Sequence, residues 1–237
     1  MQVRASKLRY QGTRKEQQDY VDVFEIGTQE KGSKQAVGVL SDGIGGLAHG
    51  GEASKLVNNR IRQYLEDKEA DTQFTQENLP GILRSAADFA DIELAEYRKE
   101  NGLTACGTTL LITVLTPSQL HYLSIGDSIL WVFTQGNVIS KVNQEHVEYQ
   151  NGKVVLSAAV VGEGIGIVDI GSVDVHEQGI ARILLSSDGI LTLSEAQVAS
   201  RLKSGNKDTL QEIVDDVRLA NALSQDNLSM ILFDRLP

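Results

Sequence analysis

Asp19, Asp42, Asp127, Asp188 and Asp226 each lie at the end of a strand-like run or in a turn. Two share one grammar. The run Ala36-Val37-Gly38-Val39-Leu40 leads into Ser41-Asp42-Gly43, and Ile183-Leu184-Leu185 leads into Ser186-Ser187-Asp188-Gly189. A carboxylate at an open strand end, with glycine beside it, lets backbone approach something small and charged. Hard cations such as Mg²⁺ and Mn²⁺ take carboxylate, carbonyl and water oxygens, and two of them can hold and activate a bridging water. No His or Cys accompanies these positions, which argues against zinc. Any one such aspartate is more often a turn former or helix cap, so spacing alone leaves both readings standing.

The elements that must position these aspartates follow from apolar patterning. Strands are expected at Val3–Tyr10, Tyr20–Ile26 and Gln35–Leu40, each rich in β-branched or aromatic residues. Two helices follow: Ala53, Leu56, Val57, Ile61 and Leu65 repeat at helical spacing. The second opens near Pro80 and ends around Asn101-Gly102. Further strands are read at Thr108–Leu115, Leu120–Ile125, Ile129–Thr134, Val138–Lys141, Ile167–Val175, Ile183–Ser187 and Leu228–Phe233. Short helices are read at Ser194–Leu202 and Thr209–Leu223. Hairpin-linked strands and helices grouped in pairs make an α+β protein with two mostly antiparallel sheets and helices outside.

The 237 residues are enough to bury a sizeable core, and no repeat or linker divides them, so one domain over residues 1–237 is expected. A net charge of −10 offers no basic footprint for nucleic acid or an anionic membrane. No apolar run reaches the roughly 18 residues of a membrane helix, and residues 1–8 lack the apolar core of a signal peptide. The single cysteine, Cys106, excludes an internal disulfide and suits a reducing compartment. A cytoplasmic protein is the plain expectation.

The motifs also run in a recognisable order: Arg14 five residues before Asp19; Asp42-Gly43-Ile44-Gly45-Gly46; Gly107-Thr108-Thr109; Gly126-Asp127-Ser128; Ser187-Asp188-Gly189; and Asp226-Asn227. In this the chain closely resembles metal-dependent serine/threonine protein phosphatases of the PPM (type 2C) family, in their compact bacterial form. The resemblance implies a four-layer α-β-β-α sandwich and hydrolysis of phosphoserine and phosphothreonine monoesters by a metal-activated water, without a phosphoenzyme. It implies two Mn²⁺ or Mg²⁺ ions and a weaker third. Asp42 would bridge the pair and the Gly43 carbonyl would reach one ion. Asp188 and Asp226 would hold the first, Asp19 the second, and Asp127 would help hold the third. Arg14 would grip the phosphate with its forked guanidinium. The implied partners are phosphorylated proteins and a cognate bacterial Ser/Thr kinase, with the enzyme a monomer engaged in signalling.

Three departures from the family pattern stand out. Ile129 follows Gly-Asp-Ser where many relatives carry arginine, which bears on the third metal. Ile44 follows the first Asp-Gly where some relatives place histidine as a candidate general acid; His49 is nearby but reads as a loop histidine. Residues 142–165, where many relatives have a longer helical flap, suggest a short, flexible connection and hence broad specificity or a docking partner. Among rivals, Gly43-Ile44-Gly45-Gly46-Leu47-Ala48 fits a dinucleotide pattern, but two consecutive helices leave no βαβ unit. A cysteine phosphatase would need arginine six residues after Cys106, where Ile112 stands. A catalytically weak phosphatase-like regulatory or binding module is the alternative from another class.

Overall fold

The computed structural model describes residues 2–27, 34–45, 49–71 and 74–236. Its first sheet runs in the order β1 (Gln2–Tyr10), β12 (Leu228–Leu236), β11 (Ile180–Ser186), β6 (Ile129–Thr134) and β7 (Ile139–Lys141). The second runs β10 (Asp169–Asp174), β5 (Gln119–Ile125), β4 (Leu110–Leu115), β3 (Gln35–Ser41) and β2 (Tyr20–Ile26). Every neighbouring pair in both sheets is antiparallel.

Three apolar layers separate four layers of secondary structure. Between the sheets lie Leu40, Leu111, Leu130, Leu185, Ile231 and Phe233. Val39 and Ile112 face the other way, onto Val57 and Ile61 of α1 (Gly50–Asp71) and Leu83 of α2 (Leu79–Glu100). On the far side, Leu184 and Met230 meet Val198 of α3 (Glu195–Ser204) and Ile213 of α4 (Thr209–Ala220). Consecutive residues of β11 therefore enter different layers, Ile183 and Leu185 between the sheets and Leu184 against the helices. Burial on both faces explains why this strand reads as an unbroken apolar run rather than an alternating one. The architecture is the α+β sandwich of two antiparallel sheets flanked by helices that the sequence suggests.

Expected and observed boundaries coincide for β2 and β6. They differ most at residues 142–165. There β8 (Val147–Gln150) and β9 (Lys153–Leu156) form a hairpin joined by Asn151 and Gly152. Both turn residues have positive φ, 50° and 76°, the conformation a two-residue hairpin of type I′ demands. Beyond it, Val160 and Thr108 exchange backbone hydrogen bonds of 3.0 and 2.9 Å, so this arm is tied to the start of β4 rather than strung loosely between strands.

Candidate metal centre

The site is assembled from four acidic turns and the loop of residues 11–18 at one end of the sandwich. The turn after β3 presents Asp42. The Asp42 carbonyl accepts from Thr109 N at 2.8 Å and Thr108 Oγ1 at 2.8 Å, and its amide donates to Thr109 Oγ1 at 3.0 Å. The same Thr109 hydroxyl lies 2.9 Å from Ser128 Oγ, beside Asp127. The Gly107-Thr108-Thr109 motif is thus a brace for two of the acidic turns. Gly43 donates its amide to Gln18 O, and a Cβ there would come within 2.4 Å of Gly50 O. Only glycine lets the loop and the start of α1 close on each other.

Asp188 opens a 3-10 helix (Asp188–Thr192) directly after β11. A Cβ on Gly189 would lie 2.1 Å from Asn227 O, so this turn packs on the one carrying Asp226. Ser187 Oγ donates to Asp19 Oδ2 at 2.9 Å and accepts from Ser229 N at 2.9 Å. Asn227 staples the loop of residues 11–18: its Nδ2 donates to Gln11 O and Glu16 O, and its Oδ1 accepts from Gln18 N. That loop holds Arg14, whose Nη2 donates to Asp226 Oδ2 at 2.5 Å.

Arg14, Asp42, Gly43, Asp127, Asp188 and Asp226 line one cavity of about 820 Å³. Asp19 lies behind its wall, buried against Ser187. All seven sequence candidates therefore fall in one neighbourhood. His49 stands outside the cavity lining, 3.5 Å from Glu52, while Ile44 is part of that lining. Ile129 is fully buried on the face packed by α3 and α4. In the dinucleotide pattern, residues 46–48 lie outside the described residues, and β3 pairs antiparallel with both neighbours, so the parallel unit that pattern requires is missing. Burial raises the Cys106 thiol above its usual range.

The electrostatics of the cavity are those of crowded, desolvated acids. Burial, then repulsion from Asp19 and Asp188, raises Asp42 well above the carboxylate range. Asp188 is pushed up to about 7 by burial and by Asp127, Asp226 and Asp19. Burial also raises Asp19 and Asp127. Buried oxygens Asp19 Oδ1 and Asp188 Oδ1 have no hydrogen-bond partner. Among the described residues no three or more His, Cys, Asp or Glu side chains form a ready-made ion cage. An all-oxygen donor set with unpartnered carboxylate oxygens and mutual repulsion nevertheless fits hard divalent cations, which would relieve both defects.

The chain matches the model of the family described as protein phosphatase 2C over residues 11–231. It belongs to that family. Protein phosphatases of this family are metal-dependent, in keeping with the donor set, and the chain is such a phosphatase. It is 26% identical to "Serine/threonine phosphatase stp" of Listeria innocua, with 88% of each chain covered. The phosphatase superposes on the crystal structure of Stp1 from Staphylococcus aureus with a TM-score of 0.86, at 19% identity and covering 100% of this chain and 96% of that one. On PstP/Ppp of Mycobacterium tuberculosis the TM-score is 0.78, at 18% identity with 98% of both chains covered. In the phosphatase, the residues that the sequence leaves without a role are the braces: Thr108, Thr109, Ser187 and Asn227, which stand inside the motifs, and Gln18 beside Asp19. Their signal was position, since each is adjacent to or within a motif already singled out.

Proposed function

We propose that this protein phosphatase hydrolyses phosphoserine and phosphothreonine monoesters on proteins, with two Mn²⁺ or Mg²⁺ ions and a weaker third. The observation that carries the reading is the single cavity shared by Arg14, Asp42, Asp127, Asp188 and Asp226. The names of the Listeria relatives support the serine/threonine preference. Asp42 would bridge the pair and the Gly43 carbonyl would complete one ion's shell. Asp188 and Asp226 would hold the first ion, Asp19 the second, and Asp127 the third. Ions held there would supply charge neutralisation and an activated water for in-line attack.

The chain's own residues do the rest. Arg14 leaves its ion pair with Asp226 and grips two phosphate oxygens through its planar fork, a geometry lysine does not provide. Asp226 is thereby freed to act as a ligand. Asp42, raised by burial, Asp19 and Asp188, and Asp188, raised by burial, Asp127, Asp226 and Asp19, are the carboxylates whose repulsion bound cations would relieve. Thr109 fixes the backbone turn that presents Asp42, and Ser187 orients the Asp19 carboxylate. Ile44 offers no proton and His49 stands outside the cavity lining against Glu52, so neither serves as the acid for the leaving serine or threonine oxygen.

On this reading residues 1–237 are a single phosphatase domain acting as a cytoplasmic monomer opposite a Ser/Thr kinase in a bacterial signalling circuit. No helix among the described residues is long and apolar enough to cross a membrane. Manganese-dependent release of phosphate from p-nitrophenyl phosphate tests the proposal. Turnover with Mn²⁺ that disappears in Asp42→Ala is expected. Manganese binding without turnover would favour the regulatory module instead.

A further inference from the structure

One wall of the cavity is chemically unlike the rest. It is built by Val154, Leu156, Val161 and Ile167. Two of these, Val154 and Ile167, are 57% and 53% exposed, large apolar side chains left open at the rim of a charged site. The arm's charges are mixed, with Glu148 and Lys153 both exposed and Glu163 paired with Arg98 at 3.2 Å, so what a bound segment meets along the wall is its apolar side chains, and an apolar segment would bury both surfaces.

The wall is also held in place. Asp91, in the middle of α2 and only 4% exposed, accepts hydrogen bonds of 2.7 Å from both Gly162 N and Gly164 N. Both glycines have positive φ, 74° and 89°, which turns their amides inward onto one carboxylate as in an anion-binding nest. On either side, Arg98 donates to Val161 O and Arg84 donates to Ile165 O. A Cβ on Gly162 would lie 2.8 Å from Ala95 Cα, so the arm rests directly on the helix.

We propose that residues 154–167 form an apolar subsite beside the phosphate position, placed by Asp91, that selects phosphoserine or phosphothreonine segments with an apolar neighbour to the phosphorylated residue. The subsite rests on the phosphatase reading of the adjoining cavity. Asp91 acts through the arm and touches no reacting atom; it is a positioning residue.

The test uses two fluorescent, non-hydrolysable phosphonothreonine peptides that differ only in carrying Leu or Ser beside the phosphonate. Their affinities for the Mn²⁺-loaded protein are read by anisotropy. The Leu peptide should bind about tenfold tighter, the discrimination a modest apolar contact provides. Val154→Asp and Ile167→Asp should each bring the ratio toward one, whereas Leu219→Asp, on the exposed face of α4, should leave it intact. With the hydrolysable Leu peptide, Asp91→Ala should raise KM about tenfold and lower kcat far less; Asp91→Asn, which keeps one acceptor oxygen, should fall between. Equal affinities, or no binding of either peptide, overturn the subsite. A lower melting temperature in Asp91→Ala with KM unchanged overturns its positioning role. Turnover of p-nitrophenyl phosphate is scored separately. Turnover with equal affinities sinks the subsite alone, and a retained preference without turnover sinks the catalytic reading alone.

Discussion

The Thr109 hydroxyl accepts the amide of Asp42 and meets Ser128 Oγ, so one small side chain couples two acidic turns. Thr109→Val keeps the shape and removes both contacts. It should lower apparent manganese affinity about 10–100-fold, as loss of an orienting partner does at metal sites. A Mn²⁺ titration of p-nitrophenyl phosphate turnover reads this directly, and an unchanged midpoint would count against the brace. Asp42→Ala is expected to cost far more, on the order of a thousandfold in turnover, since several kcal/mol of charge stabilisation depend on the ions it would join. At this scale Asp42 and Asp188 are legible in the sequence because an acid after an apolar run stands out, while Asp19, Asp127 and Asp226 are legible through the order of the motifs that carry them. Asp91 is not. It occupies a position within an amphipathic helix, and only the folded arm shows what its carboxylate receives.

Asn227 is the joint between two elements, the loop of residues 11–18 and the entry to β12. Its three side-chain hydrogen bonds, 2.8, 3.0 and 2.8 Å, are nearly buried. At about 1 kcal/mol each, Asn227→Ala should destabilise the fold by about 3 kcal/mol. Urea denaturation would show it, and a loss below about 1 kcal/mol would mean the loop is held by other contacts. Most elements were visible in the apolar patterning because each strand and helix buries a face. The hairpin of β8 and β9 escaped for the opposite reason. Its residues are mostly exposed, so burial left no periodic mark, and the Asn151-Gly152 turn was its one strong local signal.

Over the whole molecule the acidic cluster sets how stability responds to pH and metal. Asp188 keeps its proton up to about 7 in the fold against an ordinary 3.8, and Asp42, Asp19 and Asp127 shift the same way. Between those values the folded metal-free protein binds more protons than the unfolded chain. Its stability is therefore fully present below pH of about 4 as far as these groups are concerned, and declines as pH rises toward 7. Calorimetry in chelator should show the melting temperature falling across that interval; a rise would overturn the account. Mn²⁺ at about 100 times its dissociation constant should restore about 2.7 kcal/mol, or about 5–10 °C. The pairing of β1 with β12, from Gln2 opposite Leu236 to Tyr10 opposite Leu228, adds a temporal constraint. Asp226 immediately precedes β12, and β12 is the strand that joins β1 to the rest of its sheet. A nascent chain not yet extended through β12 lacks both, so the catalyst stays silent until that strand has been made and has folded home.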